Sequence, residues 1–277
     1  MARLISKKLG ERWGQRVIVD NRPGAGTIIG TETVANSTPD GYTILLASSS
    51  LVLVPQLVAT RYDAIKDFAA VATIDKWEFL LVVIPSVPAN NLKEFIAYAA
   101  ARPGQLNYAS PGTGGVQHLA GELLNLMAGI KMQHVPYKGA GPAMVDLLGG
   151  LVQAYFASPI VAIPHIKSGK LRGIAIGGEA RSPALPQVPT YSEAGLPGYS
   201  MGSWHGIVAP AGTPKAVIDK LSGEMAKMLV TPEFKQELLR QGMDPFISTP
   251  DQMAALLVSE TAKFAKVIKA ANIKLEN

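Results

Sequence analysis

LNYASPGTGGVQHLAGELLNLMAG, residues 106–129, and MQHVPYKGAGPAMVDLLGG, residues 132–150, decide the fold. Each passes from a short apolar strand through a Gly/Pro-rich turn into a helix whose first turn carries little side-chain bulk. Unpaired backbone N–H groups at a helix start, with the positive end of the helix dipole, attract anions, and glycine lets a ligand approach that backbone. Two such openings in tandem read as a cradle for a small carboxylate or phosphate. Neither contains an evident nucleophile and base, so binding is the first reading.

Working outward, strand and helix keep alternating. RVIVDN (16–21) reads as a strand, PGAGTIIGTETVANS as a turn into a helix, and PDGYTILLASSS as a turn and a strand ending in Ser48, Ser49 and Ser50. Ala70 to Ile84 reads as a strand interrupted by Asp75-Lys76-Trp77-Glu78, and NNLKEFIAYAAARPG as a helix opened by Asn91 and stopped before Pro103. After VQAYFASP, IVAIPHIKSG and KLRGIAIGG, the stretch RSPALPQVPTYSEAGLPGYS has too little periodicity for a core element and is expected to wrap the surface. GSWHGIVAPAGTP returns as a strand, and helices are expected at 216–229, 232–241 and 250–271. This order predicts an α/β protein with a mostly parallel sheet, with ligands at the carboxyl ends of strands. The expected division is a lobe of residues 1–102 and 211–277, with residues 103–210 forming a second lobe. Two chain crossings then make a hinge feasible.

Composition narrows the classes. With 277 residues, 48% hydrophobic and only 17% charged, the chain can bury a large core and is not disordered. The longest apolar runs, such as Phe79 to Pro85, are strand-sized, far below the roughly 18 residues of a membrane span. Absence of cysteine removes disulfides, thiolate metal sites and cysteine nucleophiles. The net charge of +5 is spread along the chain, and Lys263, Lys266, Lys269 and Lys274 sit at helical spacing as a solvated face, so no nucleic-acid partner is expected. MARLISKKLGERWG places Leu4, Ile5, Leu9 and Trp13 on one helical stripe and lacks the features of a signal peptide.

The chemical motifs are weak. Gly24, Gly26 and Gly30 are too widely spaced for a dinucleotide fingerprint, and PGTGGVQH lacks the lysine and hydroxyl of a nucleotide-binding loop. His118 and Glu122, four apart, have no third ligand at recognisable spacing and read as a helix-surface pair, so no metal and no cofactor are expected. Gly202-Ser203-Trp204-His205-Gly206 has its serine off-centre for a nucleophile elbow, and Trp204 reads as packing. Tyr137-Lys138-Gly139, between a strand end and a helix start, offers a phenol and an ammonium to an acid held by backbone N–H groups. The alternative is a packed tyrosine and a surface lysine. Ser110, Thr113 and Ser158 follow strands and add hydroxyls.

Taken in order, several of these runs resemble the Bug-type, or TctC-like, extracytoplasmic solute receptors of tripartite tricarboxylate transporters. They are VDNRPGAGTIIGTETVANSTPDGYTILLASSS (19–50), LNYASPGTGGVQHLAGELL (106–124), PYKGAGPAMVDLLGG (136–150), IPHIKSGKLRGIAI (163–176), RSPALPQVPTYSEAGLPGY (181–199) and SWHGIVAPAGTP (203–214). The resemblance spans nearly the whole chain. It implies a periplasmic binding protein of Venus-flytrap form, two α/β lobes closing on a small mono- or dicarboxylate without catalysis. The implied partners are the membrane subunits of the transporter, and the complete receptor is expected to be a monomer.

Carried onto this sequence, the ligand loops are Ser48, Ser49 and Ser50 on one lobe. On the other they are Ser110, Gly112, Thr113, Gly114 and Gly115, then Tyr137, Lys138 and Gly139, and the Ser158 region. The family holds its carboxylate through amides, hydroxyls and water, in keeping with the lack of arginine in these loops. Two departures stand out. Family members begin with a signal peptide, a strand and a loop ahead of the helix at which this sequence starts, which implies that the first strand lies outside it. ATRYDAIKDF also lacks the usual proline of that loop. A sensory protein, or an enzyme using Tyr137 and Lys138 as acid and base, are the alternative readings.

Overall fold

The computed structural model describes residues 1–22, 24, 27–270 and 273. Gly26, Ala271 and Lys274, named above, lie outside the described residues. The chain divides into two compact units. One comprises residues 1–75, 204–237 and 245–261; the other comprises 76–203, 238–244 and the described residues from 262 onward. The chain passes from one unit to the other five times, within the strands β2 (Phe68–Glu78) and β8 (Gly202–Pro210), the helix α9 (Pro232–Arg240), the short strand β9 (Asp244–Pro245) and the helix α10 (Pro250–Ala270).

In the first unit, the amphipathic helix α1 (Ala2–Trp13) buries Ile5 and Leu9 and ends at Gly14 in the left-handed conformation. Helix α2 (Ile28–Ala35) follows, then β1 (Leu45–Ser48) and the single turn α3 (Ser50–Leu53). The four-stranded sheet has the order β1-β8-β2-β9, with β9 at Asp244–Pro245. β1 runs antiparallel to β8, pairing Leu45 with Val208 and Ser48 with His205. Helices α8 (Lys215–Leu229), α9 (Pro232–Arg240) and α10 (Pro250–Ala270) match their expected spans closely. Residues 16–21, expected as a strand, have no regular structure. A short run of β-branched residues such as Val17-Ile18-Val19 makes a strand only if a neighbour supplies the ladder, and the sheet order gives this segment none.

In the second unit, a five-stranded sheet has the order β5-β4-β6-β3-β7. Its strands are β3 (Leu80–Val83), β4 (Asn107–Ser110), β5 (Gln133–Pro136), β6 (Ala154–Ala157) and β7 (Arg172–Ile176). β4 is parallel to both β5 and β6, whereas β3 is antiparallel to β6 and β7. The sheet is therefore mixed rather than mostly parallel. The reversal arises because Ala70 to Ile84 is two strands, β2 running through the polar interruption to Glu78 and β3 starting at Leu80. All four β3 residues are fully buried, as befits a continuous apolar run on an inner strand.

Helix α4 (Leu92–Ala100) is capped by Asn91, whose side chain accepts the Glu94 N–H at 2.9 Å, while the Glu94 carboxylate accepts the Asn90 N–H at 2.7 Å. The Asn90 N–H, together with the Asn91 side-chain amide that donates to the same carboxylate at 2.7 Å, holds the exposed Glu94 carboxyl below its ordinary pKa. Helices α5 (Val116–Ala128), α6 (Ala140–Leu148) and α7 (Pro159–Lys167) follow β4, β5 and β6. The Pro-rich stretch 181–200 does not merely wrap the surface: Leu185, Val188, Tyr191 and Tyr199 are buried. Their spacing follows proline turns and not a helix or strand period, so patterning hides them. No described helix is long and apolar enough to cross a membrane.

Candidate functional site

β5, β4 and β6 are adjacent and parallel, so their carboxyl ends form a row and three helices begin along it. Ser110 ends β4, Pro136 ends β5 and precedes Tyr137, and Ala157 ends β6 and precedes Ser158. The second unit thus brings together Ser110, the 112–115 loop, Tyr137, Lys138, Gly139 and Ser158, and the third opening extends the two read from the sequence. Carboxyl ends of parallel strands are where α/β sheets bind ligands.

Each helix start lacks a side-chain cap. Gly115 precedes α5 and Gly139 precedes α6, and neither has a side chain with which to claim the first N–H groups. Helix geometry leaves the N–H groups of Val116, Gln117 and His118, and those of Ala140 and Gly141, without intrahelical acceptors. At Ser158 the hydroxyl makes no cap bond either; its carbonyl accepts the Val161 and Ala162 N–H groups at 3.1 and 3.0 Å. Gly139 has φ +112°, which strains any side-chain-bearing residue, so a glycine is needed for this entry into α6.

The loops are tied to one another by backbone bonds. The Tyr137 N–H donates to Ser110 O at 2.9 Å and the Gly139 N–H to Pro111 O at 3.0 Å. Ser110 is fully buried and its hydroxyl donates to Gly112 O at 2.8 Å while accepting the Gly112 N–H at 3.2 Å. The Tyr137 phenol is pushed up to about 12 by burial and by the hydrogen bond it shares with Asp146 of α6. Thr113 and Lys138 are exposed.

Ser48, Ser49 and Ser50 belong to the first unit and differ in role. Ser48 closes β1 and its Oγ accepts the Ser50 N–H at 3.4 Å; Ser49 is fully buried; Ser50 begins α3. A cavity of about 1780 Å³ lies in this unit, lined by Ile5, Leu9, Val17, Val19, Leu45 and Ser48 among others. Of the expected ligand residues, only Ser48 lines it. Residues 16–20 and β1 both line it.

Sequence reasoning missed part of the arrangement. His118 is buried, not on a helix surface, and its Nδ1 accepts the Gly114 N–H at 3.2 Å. Glu122 accepts the Tyr108 hydroxyl at 2.6 Å. His134 lies 2.6 Å from Ser110 Oγ through Nε2. The signal was present in the period-two spacing of Tyr108 and Ser110, which puts both on one face of β4, and in His134 on the next strand. Trp204 is buried. Among the described residues, no group of three or more His, Asp and Glu side chains could hold a metal ion.

Comparison with known proteins places this architecture. The model of the tripartite tricarboxylate transporter family receptor matches residues 1–273. BugT of Bordetella pertussis is 37% identical over 282 residues, covering 100% of this chain and 86% of the relative. The solved structure of Rpa4515 from R. palustris with adipate has a TM-score of 0.94 at 34% identity, covering 99% of this chain and 92% of that one. MatC from Rhodopseudomonas palustris, solved with bound malate, has a TM-score of 0.88 at 30% identity, covering 96% and 91%. The α/β fold described above is that of these solute-binding proteins, and the chain belongs to the tripartite tricarboxylate transporter receptor family.

Proposed function

We propose that this protein is a periplasmic receptor that captures a small mono- or dicarboxylate and delivers it to the membrane subunits of a tripartite tricarboxylate-type transporter. The observation that carries the reading is the row of three uncapped helix starts at the carboxyl ends of β5, β4 and β6. Such a row offers several N–H donors and the positive ends of helix dipoles to one anion. The solved relatives bound to adipate and malate support a carboxylate as that anion.

In this reading the carboxylate is held by backbone amides of α5 and α6 together with the hydroxyls of Thr113 and Ser158. Gly112, Gly114, Gly115 and Gly139 shape the loops, and Tyr137 and Lys138 border them. Ser48, Ser49 and Ser50 are proposed as the ligand-touching loop of the first unit. The reading is of binding without turnover: a Tyr137 phenol held near 12 and bonded to Asp146 is a poor proton shuttle at neutral pH.

The test is a thermal-shift panel of organic acids that includes adipate and malate, followed by calorimetry on the best acid. A ligand at one hundred times its Kd adds about 2.7 kcal/mol of stability, a shift of several degrees. Stabilisation by at least one acid, with the compound recovered unchanged, is the expected result. Conversion of the acid, or no stabilisation by any, would contradict the proposal.

A further inference from the structure

Beneath residues 110–115 lies a histidine pair that the ligand-binding reading leaves unexplained. The His118 and His134 rings stack with centroids 3.9 Å apart and planes 17° apart. Each imidazole reaches a different point of the loop, His118 Nδ1 meeting the Gly114 N–H and His134 Nε2 meeting Ser110 Oγ. The Tyr108 ring lies against His134 at 5.1 Å, and its hydroxyl donates its one proton to Glu122 at 2.6 Å, with His118 O 3.1 Å away.

Counting protons fixes the His118 tautomer, and satisfying every contact of Ser110 selects that of His134. A backbone N–H only donates, so His118 Nδ1 carries a lone pair and the ring proton sits on Nε2. Ser110 has one hydroxyl proton. If that proton goes to Gly112 O, Oγ accepts from both the Gly112 N–H and His134 Nε2–H, and every contact is satisfied. This arrangement uses the Gly112 and Gly114 amides inside the loop. The donors left for an anion are those of Thr113 and the first turn of α5.

We infer that His118 and His134 are positioning residues, both held as neutral Nε2–H tautomers, which shape residues 110–115 and so select the backbone amides that face the bound anion. The identity of that anion rests on the carboxylate reading; the tautomers do not. A proton added to His118 would set a donor against the Gly114 N–H and a cation against the second imidazole. The charged or titratable groups facing the pair are Tyr108 from β4 and Glu122 from α5, and Glu122 favours the His118 cation. Burial outweighs it: both rings lie below the ordinary histidine value, His134 at about 3, with the neighbouring His118 adding to the effect of burial.

Two measurements on the full chain test this. Long-range proton–nitrogen spectra of histidine-labelled protein should show both rings as neutral Nε2–H species from about pH 8 to pH 5. Calorimetric titration of adipate should show His118→Leu weakened about tenfold or more, and His118→Asn, whose Oδ1 can replace Nδ1 as acceptor, within about threefold of wild type. An Nδ1–H signal for His118, titration of either ring in that pH range, or unchanged adipate binding by His118→Leu would overturn the inference. If wild type binds neither adipate nor malate, the proposed ligand class fails on its own account. The spectra still decide the tautomers, and Gly114 amide exchange replaces affinity, expected about tenfold faster in His118→Leu; equal exchange would overturn the positioning role.

Discussion

A Cβ placed on Gly121 would lie 2.2 Å from Cε2 of Tyr108. Helix α5 therefore packs directly onto the Tyr108 ring of β4 because residue 121 has no side chain. Tyr199 adds a second tie from the Pro-rich stretch, its hydroxyl donating to Ala120 O at 2.8 Å. Position 121 thus sets the height of α5, and with it the uncapped helix start at Val116.

Gly121→Ala should destabilise the fold by about 1–3 kcal/mol, since overpacking a filled core displaces side chains and backbone. Chemical denaturation measures this. Affinity for the best acid should fall in the same variant, because the α5 amides move with the helix; a variant as stable as wild type would show that the ring moves aside freely.

Tyr137→Phe removes the phenol that bonds Asp146 beside the Gly139 turn. The best-binding acid should lose about five- to tenfold in affinity by calorimetry, because the Gly139 turn loses the tie to α6 that positions its amides. Unchanged affinity would place Tyr137 outside the site.

Acid should weaken the fold through the histidine pair. His118 and His134 have folded pKa values depressed below the ordinary 6.5, so the unfolded chain binds protons near pH 6.5 that the folded chain refuses. Stability then rises with pH through this window and falls as pH drops from about 6.5 towards 3. The urea midpoint should decrease from pH 7 to pH 5, and His134→Gln, which has no titrating ring, should flatten that decrease.

Asn91→Ala should cost about 1 kcal/mol by removing the cap of α4, while leaving acid affinity unchanged. Urea denaturation alongside calorimetry separates the two effects, and a loss of affinity here would show that binding tracks general stability.

The strand-turn-helix units at 106–129 and 132–150 were legible because a short apolar strand, a Gly/Pro-rich turn and a helix start of little side-chain bulk follow one another without a break. Asn91 was legible as a cap for the same local reason. Residues 16–21 misled because the β-branched run Val17-Ile18-Val19 reports a preference for extended backbone and not whether a neighbour exists to pair with it. β3 was merged with β2 because Phe79 continues the apolar run across the break. The buried Leu185, Val188, Tyr191 and Tyr199 escaped notice because proline turns, which have no fixed period, space them. The His118–His134 stack joins residues 16 positions apart on a helix and a strand, a pairing that only the sheet register reveals.

The central claim is that backbone amides at adjoining helix starts, not reactive side chains, hold an organic acid. A crystal structure of the full chain with the best acid from the panel tests it most directly. The account predicts a carboxylate roughly 3 Å from amide nitrogens at the starts of α5 and α6. An acid held elsewhere, away from residues 110–115 and 137–139, would contradict it.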